Sequence, residues 1–243
     1  MINQKGHIFN KPTIFFTARV HPGEVPSSQI MNGILDFLLD EGNEQSKILR
    51  ENFVFKIIPL LNPDGVSRGH YRLDPLGQNL NRFYTDPSIE KQPTIYATKK
   101  LLKQQSDLKK IKLYIDLHGH ACKKGCFIFG NSLSGIEQAE NMLLPKLIGL
   151  NCLNFDFAEC SFNERMMSIK DKRDGLSREG AARVAIYKDI GLINCYTMEC
   201  NYNTGKRVSY IPQKYNKTKK CNEAEKPVSD INSKMYNSKR VIS

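Results

Sequence analysis

The sequence predicts an α/β sandwich with a largely parallel sheet. Short runs of β-branched and aromatic residues alternate along the chain with segments of helical apolar spacing, the pattern of successive strand–helix units. Two of the strand-like runs end in strong turn signals, Pro22-Gly23 and Asn62-Pro-Asp-Gly65. At 243 residues and 40% hydrophobic composition the chain can bury a sizeable core, and one domain is expected. No internal repeat is visible.

Ile14-Phe-Phe-Thr-Ala-Arg-Val reads as a buried strand that breaks at Pro22-Gly23. Pro26-Ser27-Ser28 then starts a helix, with Ile30, Met31, Ile34, Leu35, Leu38 and Leu39 at helical spacing. Phe53 to Leu61 is a second strand, closed by the Asn-Pro-Asp-Gly turn. Residues 66–86 are polar and too long for a simple connection, which points to function. A helix is expected from Thr94 to Gln104. Ile111 to Leu117 is a third strand running into His118-Gly119-His120, and Cys126 to Phe129 a fourth. A helix over Ile136 to Leu147, a charged loop over 161–178, a helix over Glu179 to Ile190 and a strand over Leu192 to Glu199 complete the chain's ordered part.

The net charge of +11 is unevenly placed. From Lys206 to Ser243 there are ten Lys/Arg against three Asp/Glu, a surplus of +7 that leaves +4 for the rest. Residues 206–243 are therefore expected to be a solvated, disordered basic tail. Such a tail can steer the protein toward an acidic surface. No aromatic-rich RNA motif, zinc finger or helix-turn-helix pattern accompanies it, so nucleic acid is the poorer partner. No run is long enough to span a bilayer. The opening Met1-Ile-Asn-Gln-Lys-Gly-His lacks the apolar segment of a secretory signal. The seven cysteines are irregularly spaced and read as reduced thiols of a cytosolic protein. Cys122 and Cys126 have no matching second pair for a metal, and small buried hydrophobes is the better reading for most.

Chemistry concentrates at the first corner. His21 and Glu24 flank the Pro-Gly turn, and an imidazole and a carboxylate at that spacing can converge on one ion. A catalytic zinc takes three protein ligands and a water. In open α/β sheets sites form beyond the carboxyl ends of strands, so the third ligand is sought at the end of Ile115-Asp-Leu-His118. Spacing alone leaves His118 and His120 as equal candidates. Asp116 can serve as hydrogen-bond partner to a ligand.

Five motifs in register carry a resemblance. His21-Pro-Gly-Glu24, Asn62-Pro-Asp-Gly65, Asn79-Leu-Asn81-Arg82, Asp116-Leu-His118 and Thr197-Met-Glu199 stand in the order seen in zinc carboxypeptidases of the carboxypeptidase A type. More narrowly, Gly69-His-Tyr-Arg72, Arg183-Val-Ala-Ile-Tyr187 and Glu199-Cys-Asn-Tyr-Asn-Thr-Gly205 resemble the cytosolic carboxypeptidases, over about residues 12–205. The resemblance implies a three-layer α/β/α sandwich with a mixed, largely parallel sheet. It also implies one Zn2+ per chain, held by His21, Glu24 and His118. Glu199 matches the residue that takes a proton from the attacking water and passes it to the leaving amine. Arg72 matches the cation that stabilises the tetrahedral oxyanion. Asn81 and Arg82 match the pair that grips the substrate's free carboxylate, for which a planar guanidinium suits. Tyr187 matches a mobile tyrosine that closes over substrate, with core packing as the plainer reading.

The implied activity is removal of C-terminal or branch-point glutamate from polyglutamylated proteins such as tubulin, by a cytoplasmic monomer, cytoskeleton-associated or nuclear. A positive group must then meet the glutamate side chain. Arg183 is the first choice among Arg183, Lys188, Lys170, Lys172, Arg173 and Arg178. The chain departs from the family's pattern at both ends. Thirteen residues precede Ile14 where the family has a β-sandwich domain and further strands, and 206–243 lack an apolar stripe where the family has a long helix. Residues 1–205 are thus expected to be a partial catalytic domain, truncated at both ends. Two rivals stand beside the peptidase: an aspartoacylase-like amidohydrolase, and a non-catalytic microtubule-binding fragment.

Overall fold

In the computed structural model, residues 11–172 and 174–205 are described. Strand β1 (Thr13–Ala18) carries the alternation that builds two layers. Phe15 points into one core cluster and Phe16 into the other, because successive side chains of a strand face opposite ways. The first helix, α1 (Val25–Leu39), starts with Pro26 in its first turn, where a missing N–H costs nothing. The short helix α2 (Glu44–Asn52) follows and leads into β2 (Val54–Ile58).

Asn62 caps α3 (Pro63–Ser67): its Oδ1 accepts from Gly65 N at 2.9 Å, while its Nδ2 donates to Val20 O at 3.2 Å. That second bond ties the Asn-Pro-Asp-Gly turn to the corner after β1. Helix α4 (Pro93–Asp107) precedes β3 (Ile111–His120), and β4 (Cys126–Phe129) precedes α5 (Gly135–Asn151). The segment predicted as a loop over 161–178 contains one turn of helix, α6 (Arg165–Ser168). A 3-10 turn at Arg178–Gly180 leads into α7 (Ala182–Ile190), and β5 (Cys195–Asn201) is the last element among the described residues.

The sheet order is β2-β1-β3-β5-β4, parallel except for the β4–β5 pair. One core cluster joins Phe15, Leu61, Tyr84 and Tyr114 to Ile95 and Leu102 of α4 and Ala185 and Ile186 of α7. The other joins Phe16, Ile115, Leu117 and Tyr196 to Met31 of α1 and, at its margin, Leu144 and Ile148 of α5. Helices therefore cover both faces, giving the three-layer arrangement expected. Among the described residues no helix is long and apolar enough to cross a membrane.

Candidate active site and metal centre

The corner after β1 is held by Arg19, whose backbone is left-handed at φ 59°. Its Nε donates to Pro22 O at 2.7 Å and its Nη1 to Ser28 Oγ at 2.8 Å. Gly23 donates its N–H to Tyr71 O at 2.7 Å. A Cβ at residue 23 would lie 2.6 Å from that carbonyl, so only glycine allows the approach. The contact brings Arg72 alongside the corner, with Nη1 3.4 Å from Glu24 Oε1. From the other side β3 supplies His118, which pairs in register with Glu199 of β5.

His21, Glu24 and His118 are buried, and their ligand atoms lie within 4.8 Å of one another. His21 Nδ1 is 2.7 Å from Glu24 Oε1, and His118 Nδ1 is 3.0 Å from Oε2. Each distal nitrogen has its own acceptor: Asn79 Oδ1 at 3.0 Å from His21 Nε2, and Asp116 Oδ2 at 2.7 Å from His118 Nε2. Such partners fix tautomer and ring orientation in metal-binding histidines. His21 Nδ1 is buried and, though close to Glu24, is not aligned for a hydrogen bond, so it is a polar atom that an ion would satisfy. Two imidazoles and one carboxylate are the protein donor set of a catalytic zinc, and these residues fit it.

Glu199 completes the centre. Its Oε2 is buried without a partner, and burial pushes its carboxyl up to about 8. Behind it the Asn79-Leu-Asn81-Arg82 segment forms a 3-10 turn capped by Asn79, whose Oδ1 also accepts from Asn81 N at 3.2 Å. Asn81 Oδ1 accepts from Ala182 N at 2.9 Å and its Nδ2 faces His118 Nε2 at 3.4 Å. The Arg82 side chain is enclosed, with Nη1 on Asn81 O at 2.7 Å and Nη2 on Asp171 Oδ2 at 2.8 Å. A cavity of about 1010 Å³ opens beside these groups, lined by Tyr71, Arg72, Asn79, Phe83, Asp174 and Leu176 among others.

A profile of the zinc carboxypeptidase family matches residues 1–123. The chain belongs to that family. Cytosolic carboxypeptidase-like protein 5 of Danio rerio is 39% identical over 86% of this chain and 35% of its own length. The Homo sapiens protein of the same name is 39% identical over 83% of this chain and 32% of its own length. The chain thus spans about a third of these relatives. A metallo-carboxypeptidase from Burkholderia cenocepacia shares the fold, with a TM-score of 0.65 and 22% identity over 79% of this chain and 48% of that one.

The remaining sequence candidates fall differently within this chain. His120 Nδ1 accepts from the backbone N–H groups of Cys122 and Lys123, so it caps the turn after β3 and is not aimed at the ligand cluster. Tyr187 lies on α7, half-buried against the cluster of Phe15, Leu61 and Tyr84. Arg183 is no solvated loop cation. It is 4% exposed, with its guanidinium on Gly130 O, Asn131 Oδ1 and Met166 O, and burial lowers it to about 10. Lys188 is exposed and paired with Glu179, and Arg173 lies outside the described residues.

Sequence reading missed three groups here. Asn79 holds His21, although its side chain reads as a turn former. Asp171 and Asp174 reach back to Arg82 and Asn79, with Asn79 Nδ2 2.8 Å from Asp174 Oδ2. Tyr202 lies beside Tyr71 and within electrostatic reach of Glu24 and Glu199. Both tyrosines stand inside the resemblance motifs, which was the available signal.

Zinc binding should be proton-linked. Burial lowers the His118 pKa, but Asp116 and Glu24 outweigh it and hold it well above the usual imidazole value, which favours the protonated ring when no metal is bound. Metal coordination needs the neutral ring and displaces that proton. The His118 proton alone should therefore contribute about a tenfold rise in affinity per pH unit below its pKa. Chelator competition from pH 6 to 8 measures the slope, and a flat profile would contradict the assignment.

Proposed function

We propose that this chain is a zinc-dependent metallocarboxypeptidase that removes C-terminal or branch-point glutamate from polyglutamylated proteins such as tubulin. The observation that carries the reading is the pairing of Glu199, whose Oε2 is buried without a hydrogen-bond partner, with a His–Glu–His cluster beside two arginines. The metal, when bound, supplies Lewis acidity for the scissile carbonyl and makes water a usable nucleophile near neutral pH.

The chain's own groups do the rest. Glu199 takes the water's proton and delivers it to the leaving nitrogen. Arg72, beside Glu24, stabilises negative charge developing on the carbonyl oxygen. Arg82 and Asn81 receive the substrate's free carboxylate. Arg82 already holds a carboxylate of its own chain, Asp171, at 2.8 Å, which supports its competence for one. A glutamate joined through its amine to a side-chain carboxyl still presents a free α-carboxylate, so the same grip serves a branch point. Arg183 as reader of the glutamate side chain depends on its Nε, the one guanidinium nitrogen left without a partner.

The relatives' printed names support a cytoplasmic setting, and the family profile over residues 1–123 falls within the proposed catalytic portion, residues 1–205. The basic segment 206–243 lies outside the described residues. The amidohydrolase and binding-only readings are separated from the proposal by one assay. The zinc-loaded chain is given a peptide ending in several glutamates, and the same peptide as its C-terminal amide. Glutamate should be released from the first and not from the second. Equal release from both would remove the carboxylate grip, and zinc bound with no release from either would favour the binding-only reading.

A further inference from the structure

β4 runs antiparallel to β5 with Cys126 opposite Cys200. In the adjoining pair Asn201 N donates to Gly125 O at 2.9 Å, whereas Cys126 turns its own backbone outward, with N on Asn154 O at 3.1 Å and O accepting from Asp156 N at 2.8 Å. Ladder bonds alternate along an antiparallel pair, so Cys126 and Cys200 form a non-hydrogen-bonded pair. Such pairs bring their Cα atoms to about 4.5 Å with side chains on one face, inside the span that a disulfide bridges without backbone movement. The two Sγ atoms are 3.1 Å apart, Cys126 donating to Cys200. Both side chains are half-buried and so within reach of a small oxidant.

We infer that Cys126 and Cys200 are a dithiol site oxidised by a peroxide to a cross-strand disulfide, one residue from Glu199. The thiol–thiol hydrogen bond supplies the chemistry's polarity: it lowers Cys200 to about 7 and raises Cys126. The Cys200 thiolate is then the nucleophile. It attacks one peroxide oxygen, the O–O bond breaks, and the departing hydroxide takes a proton to leave as water. The Cys126 sulfur next attacks Cys200, the S–O bond breaks, and the oxygen leaves as water with the Cys126 proton. Two thiols and one peroxide become one disulfide and two waters; the sulfurs lose two electrons and the peroxide gains them. A dithiol reductant reverses the bond. Reversible pairs of this kind are the ones found in reducing compartments.

The test is peroxide titration of the full chain followed by intact mass and non-reducing peptide mapping. The mass should fall by two hydrogens, with the peptides of Cys126 and Cys200 joined, and dithiothreitol should restore both. Cys126→Ser should halt the reaction at a sulfenic acid on residue 200, trapped by a 1,3-dione probe. The wild-type map alone decides the matter if that variant does not fold. Oxidation at exposed Cys122 before any 126–200 link forms, or a two-hydrogen loss that persists in Cys126→Ser, would overturn the inference.

Discussion

Glu199→Gln should reduce glutamate release by about a thousandfold while leaving zinc stoichiometry unchanged. The amide is nearly isosteric, so the register of β5 against His118 and Phe127 has no reason to change. What is lost is the ability to accept and return a proton. Burial holds Glu199 at about 8 in the metal-free protein, whereas a cation beside it would favour the carboxylate. Loading with zinc should therefore release a proton here as well as at His118, and the variant should release fewer. Metal analysis, proton release and turnover are three separable readouts. Turnover within tenfold of the parent would exclude Glu199 as the base. Loss of zinc together with turnover would instead make it part of the metal's support.

What sequence could and could not reveal follows from distance along the chain. The strands were legible because their apolar runs are local, and β4 (Cys126–Phe129) lies where its residues predict. Helix α2 was not legible: among its residues only Ser46 is buried, so no apolar stripe announces it. Its signal is the Asn43 cap, which accepts from Ser46 N. His118 and His120 share a strand face, and alternation cannot separate them. Their partners do, Asp116 and Glu24 for one, turn amides for the other. Arg183 sits in a run, Ala182 to Ile186, that is buried throughout, so its neighbours announce the burial that its charge alone conceals. Asp171 meets Arg82 across 89 residues of chain, and no local pattern encodes such a contact.

That long-range contact depends on one glycine, and Gly180→Ala should be the most damaging small substitution in the clamp. Gly180 O accepts from Tyr84 N at 3.0 Å, which draws the 3-10 turn at Arg178–Gly180 against the 3-10 turn at Leu80–Arg82. A Cβ there would lie 1.9 Å from Arg82 O and 2.6 Å from Arg82 C, both backbone atoms with no flexible end to swing aside. Either turn must move, and overpacking of this kind costs about 3 kcal/mol. For a chain of this size that is a drop of roughly 10 °C in Tm. Arg82 would be displaced with its carbonyl, so KM for a free-carboxylate peptide should rise more than kcat falls. Gly175→Ala is the comparison. Its φ of 69° strains any side chain, but nothing lies within 4 Å, so it should lose only about 1 kcal/mol. Thermal melts and steady-state kinetics of the two variants distinguish the cases. Equal losses would mean that the close approach at Arg82 relaxes freely and does not fix the clamp.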